Sequence, residues 1–116
     1  MEISIGEKKI GSNNLVYFIA EIGVNHCGDV NLAKKMILAA KKSGADAVKF
    51  QTWRTAAENV SAQTPLTEYQ KASLDDSDGG QLELLDSIGL SFDVFRELKA
   101  YCDEIGIDFI STPDDK

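Results

Sequence analysis

Lys42-Ser43-Gly44-Ala45-Asp46-Ala47-Val48-Lys49-Phe50-Gln51-Thr52 runs from a helix end through glycine, one apolar residue and aspartate into a strand. The same order returns at Glu104-Ile105-Gly106-Ile107-Asp108-Phe109-Ile110. A helix–turn–strand phrase used twice marks an internal βα repeat. Upstream, Tyr17-Phe18-Ile19-Ala20-Glu21 lies in an apolar run from Leu15 to Ile22, bounded by Asn13-Asn14 and Gly23. That run is too short for a helix that must bury itself, and it fits a buried parallel strand. Glu21 and Lys49 stand 28 positions apart with a helix between them, about one βα repeat. The two strands are therefore expected to be parallel neighbours. A third strand is expected from Asp108 to Thr112, with Pro113 at its exit.

Around these strands the sequence predicts a small hairpin over residues 2–12 and a helix capped by Asp29 or Asn31. Leu32, Ala33, Met36, Ile37 and Ala40 form that helix's apolar stripe, and Gly44 is its left-handed stop. Residues 54–80 read as a long polar βα loop holding a short helix from Leu66 to Ala72. A helix from Gln81 to Ile88 follows, then a longer one capped by Ser91 and ending at Ile105. Phe95, Leu98, Cys102 and Ile105 make its buried face. Three parallel strands form a poor core alone, and polar Asp114-Asp115-Lys116 stands where another helix should begin. The expectation is part of a larger α/β protein, a barrel, with a compact three-layer domain as the other reading.

The chain has 116 residues, 43% apolar and 27% charged, the balance of a globular protein. Its net charge of −7 excludes a broad nucleic-acid or anionic-membrane surface but leaves room for a local anion site. No apolar run approaches the roughly 20 residues of a membrane span, and the first residues carry no signal-peptide core. Cys27 and Cys102 lack CxxC spacing and read as reduced thiols in a cytoplasmic protein.

In parallel sheets and barrels ligands bind at the carboxyl ends of the strands, where Glu21, Lys49 and Gln51 fall. Lys49 and Gln51 are two apart and share one face; Val48 and Phe50 point to the other, where helices would cover them. An ammonium there suits a phosphate or carboxylate, a Schiff base, or a plain ion pair with Glu21. Ser111 and Thr112 close the third strand, and the Thr112 hydroxyl is an anion-binding candidate. His26, the only histidine, reads as a loop hydrogen-bonder, because neither HExxH nor a Cys/His cluster accompanies it. Asp75, Asp76 and Asp78 read as a solvated acidic turn whose spacing does not suit a calcium loop.

At these residues the chain resembles the sialic acid synthase family, the bacterial nonulosonate synthases. The matching segments are Ile19-Ala20-Glu21-Ile22-Gly23-Val24-Asn25-His26, Gly44-Ala45-Asp46-Ala47-Val48-Lys49-Phe50-Gln51-Thr52 and Phe109-Ile110-Ser111-Thr112-Pro113. The resemblance implies an α/β fold, the N-terminal part of a (β/α)8 TIM barrel. The rest of the barrel and a C-terminal antifreeze-like domain would lie outside these residues. It implies condensation of phosphoenolpyruvate with N-acetylmannosamine or a related N-acetylated aminosugar, with Lys49 and Thr112 on phosphoenolpyruvate and Glu21 and Gln51 facing the sugar. It also implies a divalent metal, Mn or Mg, held by histidines of later strands, and a homodimer. Asp114-Asp115 departs from the aromatic–aspartate pair common after Ser-Thr-Pro in the family. A class I aldolase using Lys49 for a Schiff base, or a non-catalytic binding fragment, are the competing readings.

Overall fold

The computed structural model describes residues 1–58, 60–73 and 80–114. Asp75, Asp76, Asp78 and Asp115 therefore lie outside the described residues. A hairpin of β1 (Glu2–Ile5) and β2 (Lys8–Gly11) precedes β3 (Ile19–Gly23), α1 (Val30–Lys42) and β4 (Ala47–Thr52). Then come α2 (Glu68–Ser73), α3 (Gln81–Ile88), α4 (Phe92–Ile105) and β5 (Asp108–Pro113). Strands β3, β4 and β5 form a parallel sheet in that order. The expected repeat is thus present, with Glu21 paired to Lys49 and Gln51 to Thr112 in register.

Local chemistry explains the element ends. The Asp29 carboxylate accepts from the N–H groups of Asn31 and Leu32, and Ser91 Oγ accepts from Val94 N–H, so both long helices begin on side-chain caps. Both end before a glycine with positive φ, Gly44 at 87° and Gly106 at 73°, where a Cβ would be strained. Strand β3 starts two residues later than expected. Tyr17 and Phe18 instead lead into it: Phe18 N–H donates to Asp46 Oδ2 at 2.6 Å, and Tyr17 OH donates to Asp108 Oδ2 at 2.6 Å. Asp46 also pairs with Lys8 of the hairpin. The two repeated aspartates thereby tie the hairpin and the entry of β3 to the base of the sheet.

Helices cover one face of the sheet. Val48 and Phe50 are fully buried there with Ile22, Ala33, Ile37, Leu98 and Cys102. The Phe50 ring stacks on Phe109 at 5.4 Å and meets Phe95 edge-on at 6.1 Å. Of the α1 stripe, Ala33 and Ile37 are buried while Leu32 is exposed, and Ile105 of α4 is half-buried. A smaller cluster lies under the long loop, where Trp53, Ala56 and Leu66 are buried. The radius of gyration is 16.2 Å, against about 13 Å for a closed domain of this length, as befits a sheet covered on one side. Among the described residues no helix is long and apolar enough to cross a membrane.

His26 departs from the expectation of a solvated loop residue: it is 1% exposed and packs 5.9 Å from the Phe50 ring. Burial pushes its pKa below the usual 6.5; the Gly23 carbonyl opposes that shift, although Nε2 makes no hydrogen bond of normal geometry.

Two measurements check this core. Leu98→Ala removes a fully buried side chain and is expected to cost about 2–5 kcal/mol in denaturant unfolding. For His26 the unfolded chain takes up the proton first, so its contribution is complete above pH 6.5. It is lost as pH falls from 6.5 toward the depressed folded value, and His26→Phe should flatten this part of the stability–pH curve. An unchanged slope in that variant would show that other groups set it.

Candidate substrate site on the open face of the sheet

The face opposite the helices carries Glu21, Lys49, Gln51, Ile110 and Thr112. Their shared orientation follows from strand geometry: registered residues of parallel neighbours, and residues two apart on one strand, point the same way. Lys49 Nζ lies 2.8 Å from Glu21 Oε2. The Lys49 and Glu21 side chains are 36% and 47% exposed. An ion pair so accessible contributes about 0–1 kcal/mol at most, so an incoming anion can compete for the ammonium at small cost. Beyond Glu21 the register shifts before Gly23 pairs with Phe50. This irregularity breaks the regular ladder just after the carboxylate.

Gln51 and Thr112 sit side by side one step further toward the carboxyl ends, both exposed. Ser111 belongs to the other face, where its hydroxyl is hydrogen-bonded to Thr52 Oγ1 and donates to Phe50 C=O at 3.3 Å. Of the two neighbouring hydroxyls, Thr112 is thus the one presented to a ligand. All four candidates chosen from the sequence, Glu21, Lys49, Gln51 and Thr112, therefore occupy one open face. The Glu21–Lys49 pairing, one of the readings the sequence left open, is realised within it.

Sequence reasoning missed three features of the surroundings. Trp53, the residue after β4, is buried and abuts Gly89: a Cβ on that glycine would stand 3.2 Å from Trp53 Nε1. The turn after Glu21 is packed against the end of α3, since a Cβ on Gly28 would stand 3.0 Å from the Ser87 carbonyl oxygen. His26 fills the space behind the site. A lone tryptophan and a lone histidine carry no periodic signal, and Trp53 stands between polar Thr52 and Arg54. Glu68-Tyr69-Gln70-Lys71 begins α2, where Gln70 and Gln81 hydrogen-bond and tie α2 to α3.

No group of three or more His, Cys, Asp or Glu side chains able to hold a metal ion occurs among the described residues. Glu21 is engaged by Lys49, and the only imidazole is buried in the opposite layer. The described residues do not make a divalent-metal site.

The chain is similar to known proteins over most of its length. The chain is 44% identical over 107 residues to the N,N'-diacetyllegionaminic acid synthase of Legionella pneumophila, covering 92% of this chain and 30% of that protein. It is 36% identical over 105 residues to the human N-acetylneuraminate-9-phosphate synthase, covering 89% of this chain and 28% of that one. The chain thus spans under a third of the length of these relatives. Among solved structures, the N-acetylneuraminic acid (sialic acid) synthetase of Leptospira borgpetersenii superposes with a TM-score of 0.75 at 34% identity. That match covers 97% of this chain and 34% of the other. With the NeuB family profile matching residues 36–116, the chain belongs to the NeuB family.

Proposed function

We propose that the chain is the N-terminal part of a (β/α)8-barrel synthase that condenses phosphoenolpyruvate with N-acetylmannosamine or a related N-acetylated aminosugar, consuming one water and releasing phosphate. The observation that carries this reading is the single open face on which Glu21, Lys49, Gln51 and Thr112 converge, with Glu21 and Lys49 in contact at 2.8 Å. Family membership and the synthase names of its relatives support it.

The chemistry fits the residues. Phosphoenolpyruvate carries a phosphate and a carboxylate, and binding it requires a fixed cation with hydroxyl or N–H donors. Lys49 and Thr112 supply both from neighbouring strands. An open-chain sugar presents hydroxyls, and the Glu21 carboxylate and the Gln51 amide are suited to accept from them. Anion binding at Lys49 loosens its pairing with Glu21 and frees that carboxylate for the sugar. Carbon–carbon bond formation needs the aldehyde polarised as the enol carbon attacks. A divalent Mn or Mg ion belongs to this proposal only with ligands from outside these residues. We further assign the whole protein to the cytoplasm as a homodimer with a C-terminal antifreeze-like domain. A Schiff-base lysine works as a free amine, whereas the Lys49 ammonium is engaged in an ion pair, the arrangement of charge recognition.

In the intact protein, Lys49→Ala is expected to lower kcat/KM for phosphoenolpyruvate at least ~30-fold, the loss of about 2 kcal/mol of charge-assisted binding. Phosphate release measures it, and turnover unaffected by the substitution would refute the assignment. Borohydride trapping with a carbonyl substrate should leave no adduct on Lys49; a covalent adduct would favour the aldolase chemistry. Residues 1–116 assayed alone should release no phosphate from phosphoenolpyruvate and an aminosugar, and measurable turnover would contradict the need for further strands.

A further inference from the structure

The turn between Glu21 and α1 is hydrogen-bonded at nearly every step. Asn25 donates its backbone N–H and its side-chain Nδ2–H to the Ile22 carbonyl, each at 3.0 Å. Cys27 N–H donates to Val24 C=O at 3.0 Å, and Asp29 N–H donates to His26 C=O at 2.8 Å. Between Val24 and Asp29 the only buried residue is His26. Its ring lies against Phe50, the residue between Lys49 and Gln51. Its Nδ1 accepts the Gly28 N–H at 3.1 Å. A ring nitrogen that accepts is unprotonated, so the neutral imidazole carries its proton on Nε2. Nε2 is buried, and its nearest acceptor, the Gly23 carbonyl, does not reach hydrogen-bond geometry.

That poorly paired donor contrasts with the well-formed bond at Nδ1. A buried N–H with a poorly aligned acceptor gains little, and a phenylalanine would fill the same space without it. The hydrogen bond of good geometry that the imidazole provides and a hydrocarbon ring cannot is the one accepted at Nδ1. That acceptor fixes Gly28, which has φ of +76° and lies so close to α3 that a Cβ would meet Ser87 C=O at 3.0 Å and Ile88 Cα at 3.5 Å. Cys27, beside it, is the only described non-glycine residue with positive φ, at 50°, a conformation the neighbouring bonds must hold. At the other end of the turn, a Cβ on Gly23 would lie 3.2 Å from Glu21 Oε1.

We propose that His26 is a positioning residue: through Nδ1 it locks the turn behind the open face, seating α3 on the rim and fixing Glu21 for the acceptor sugar. The kinetic part rests on the synthase reading; the clamp itself does not. Phosphoenolpyruvate is assigned to Lys49 and Thr112 on β4 and β5, whereas Glu21 lies on the strand that runs directly into the turn, so the effect falls on the sugar.

Two variants separate clamp from packing. His26→Phe keeps a ring against Phe50 and removes the acceptor; His26→Asn restores an acceptor at the place of Nδ1. In the intact protein, with N-acetylmannosamine and phosphoenolpyruvate as substrates, His26→Phe should raise KM for the sugar about tenfold. KM for phosphoenolpyruvate should stay unchanged, and His26→Asn should fall within about threefold of the parent. A His26→Phe enzyme like the parent, or one altered equally for both substrates, overturns the proposal. Nitrogen-15 spectra of the unsubstituted protein should show Nδ1 unprotonated and Nε2 protonated, with slow exchange of the Gly28 amide that His26→Phe accelerates. A protonated Nδ1 overturns the clamp even if His26→Phe does not fold. Absence of sugar-dependent phosphate release in the parent removes the synthase reading, while the spectra still decide the clamp.

Discussion

Burial of Phe50 between the sheet and the helices is the constraint on which the rest of this structure depends. Its ring contacts Phe95, Phe109 and His26 at once, from α4, β5 and the turn after β3. With Phe50 facing the helices, strand alternation turns Lys49 and Gln51 to the other face. Parallel pairing then sets Glu21 beside Lys49 and Thr112 beside Gln51. A one-residue slip of β4 would bury the lysine and expose the phenylalanine, which is why register here is fixed by packing and not by the polar residues. The catalytic candidates are placed by an aromatic cluster they do not touch.

The same layout separates stability from chemistry. The helix-covered face holds the apolar core, packed under the side-chain-capped helices α1 and α4. The open face holds an accessible ion pair and exposed polar groups, a poor source of folding free energy and a ready binding surface. Polar interactions that do support the fold lie at the opposite end of the strands. There Asp46 and Asp108 bind Phe18 N–H and the Tyr17 hydroxyl, and the phenol pKa is pushed up to about 12 by burial and by its carboxylate partner. The repeat thus anchors the sheet at its base and leaves its rim free.

Most of this was legible in the sequence because it rests on short-range periodicity. Strand and helix order, the Asp29 and Ser91 caps and the shared face of Lys49 and Gln51 all follow from spacing along the chain. The start of β3 was misplaced because apolar Leu15 to Phe18 look like strand residues, whereas Asp46 and Asp108 capture Tyr17 and Phe18 before pairing begins. The burial of His26 and Trp53 was not legible, since each depends on a neighbour more than twenty residues away in sequence: Phe50 in one case, Gly89 in the other. The repeated aspartates were visible as a pattern, but their partners were not.

The long segment between β4 and α4 acquires a purpose from these contacts. A connection of this length with only short helices has little core of its own, and among its described residues few are buried: Trp53, Ala56 and Leu66. It is held instead at two places next to the open face, by Trp53 at the exit of the strand that carries Lys49 and by Gly28 in the turn that follows Glu21. Both anchors lie within a few residues of a candidate ligand group. A segment idle in function would gain nothing from being fastened there; one that forms a wall of the site needs to be registered against the groups that bind substrate. On the proposed reading, differences in acceptor sugar among relatives can be accommodated by this segment while the strands keep the phosphoenolpyruvate side constant.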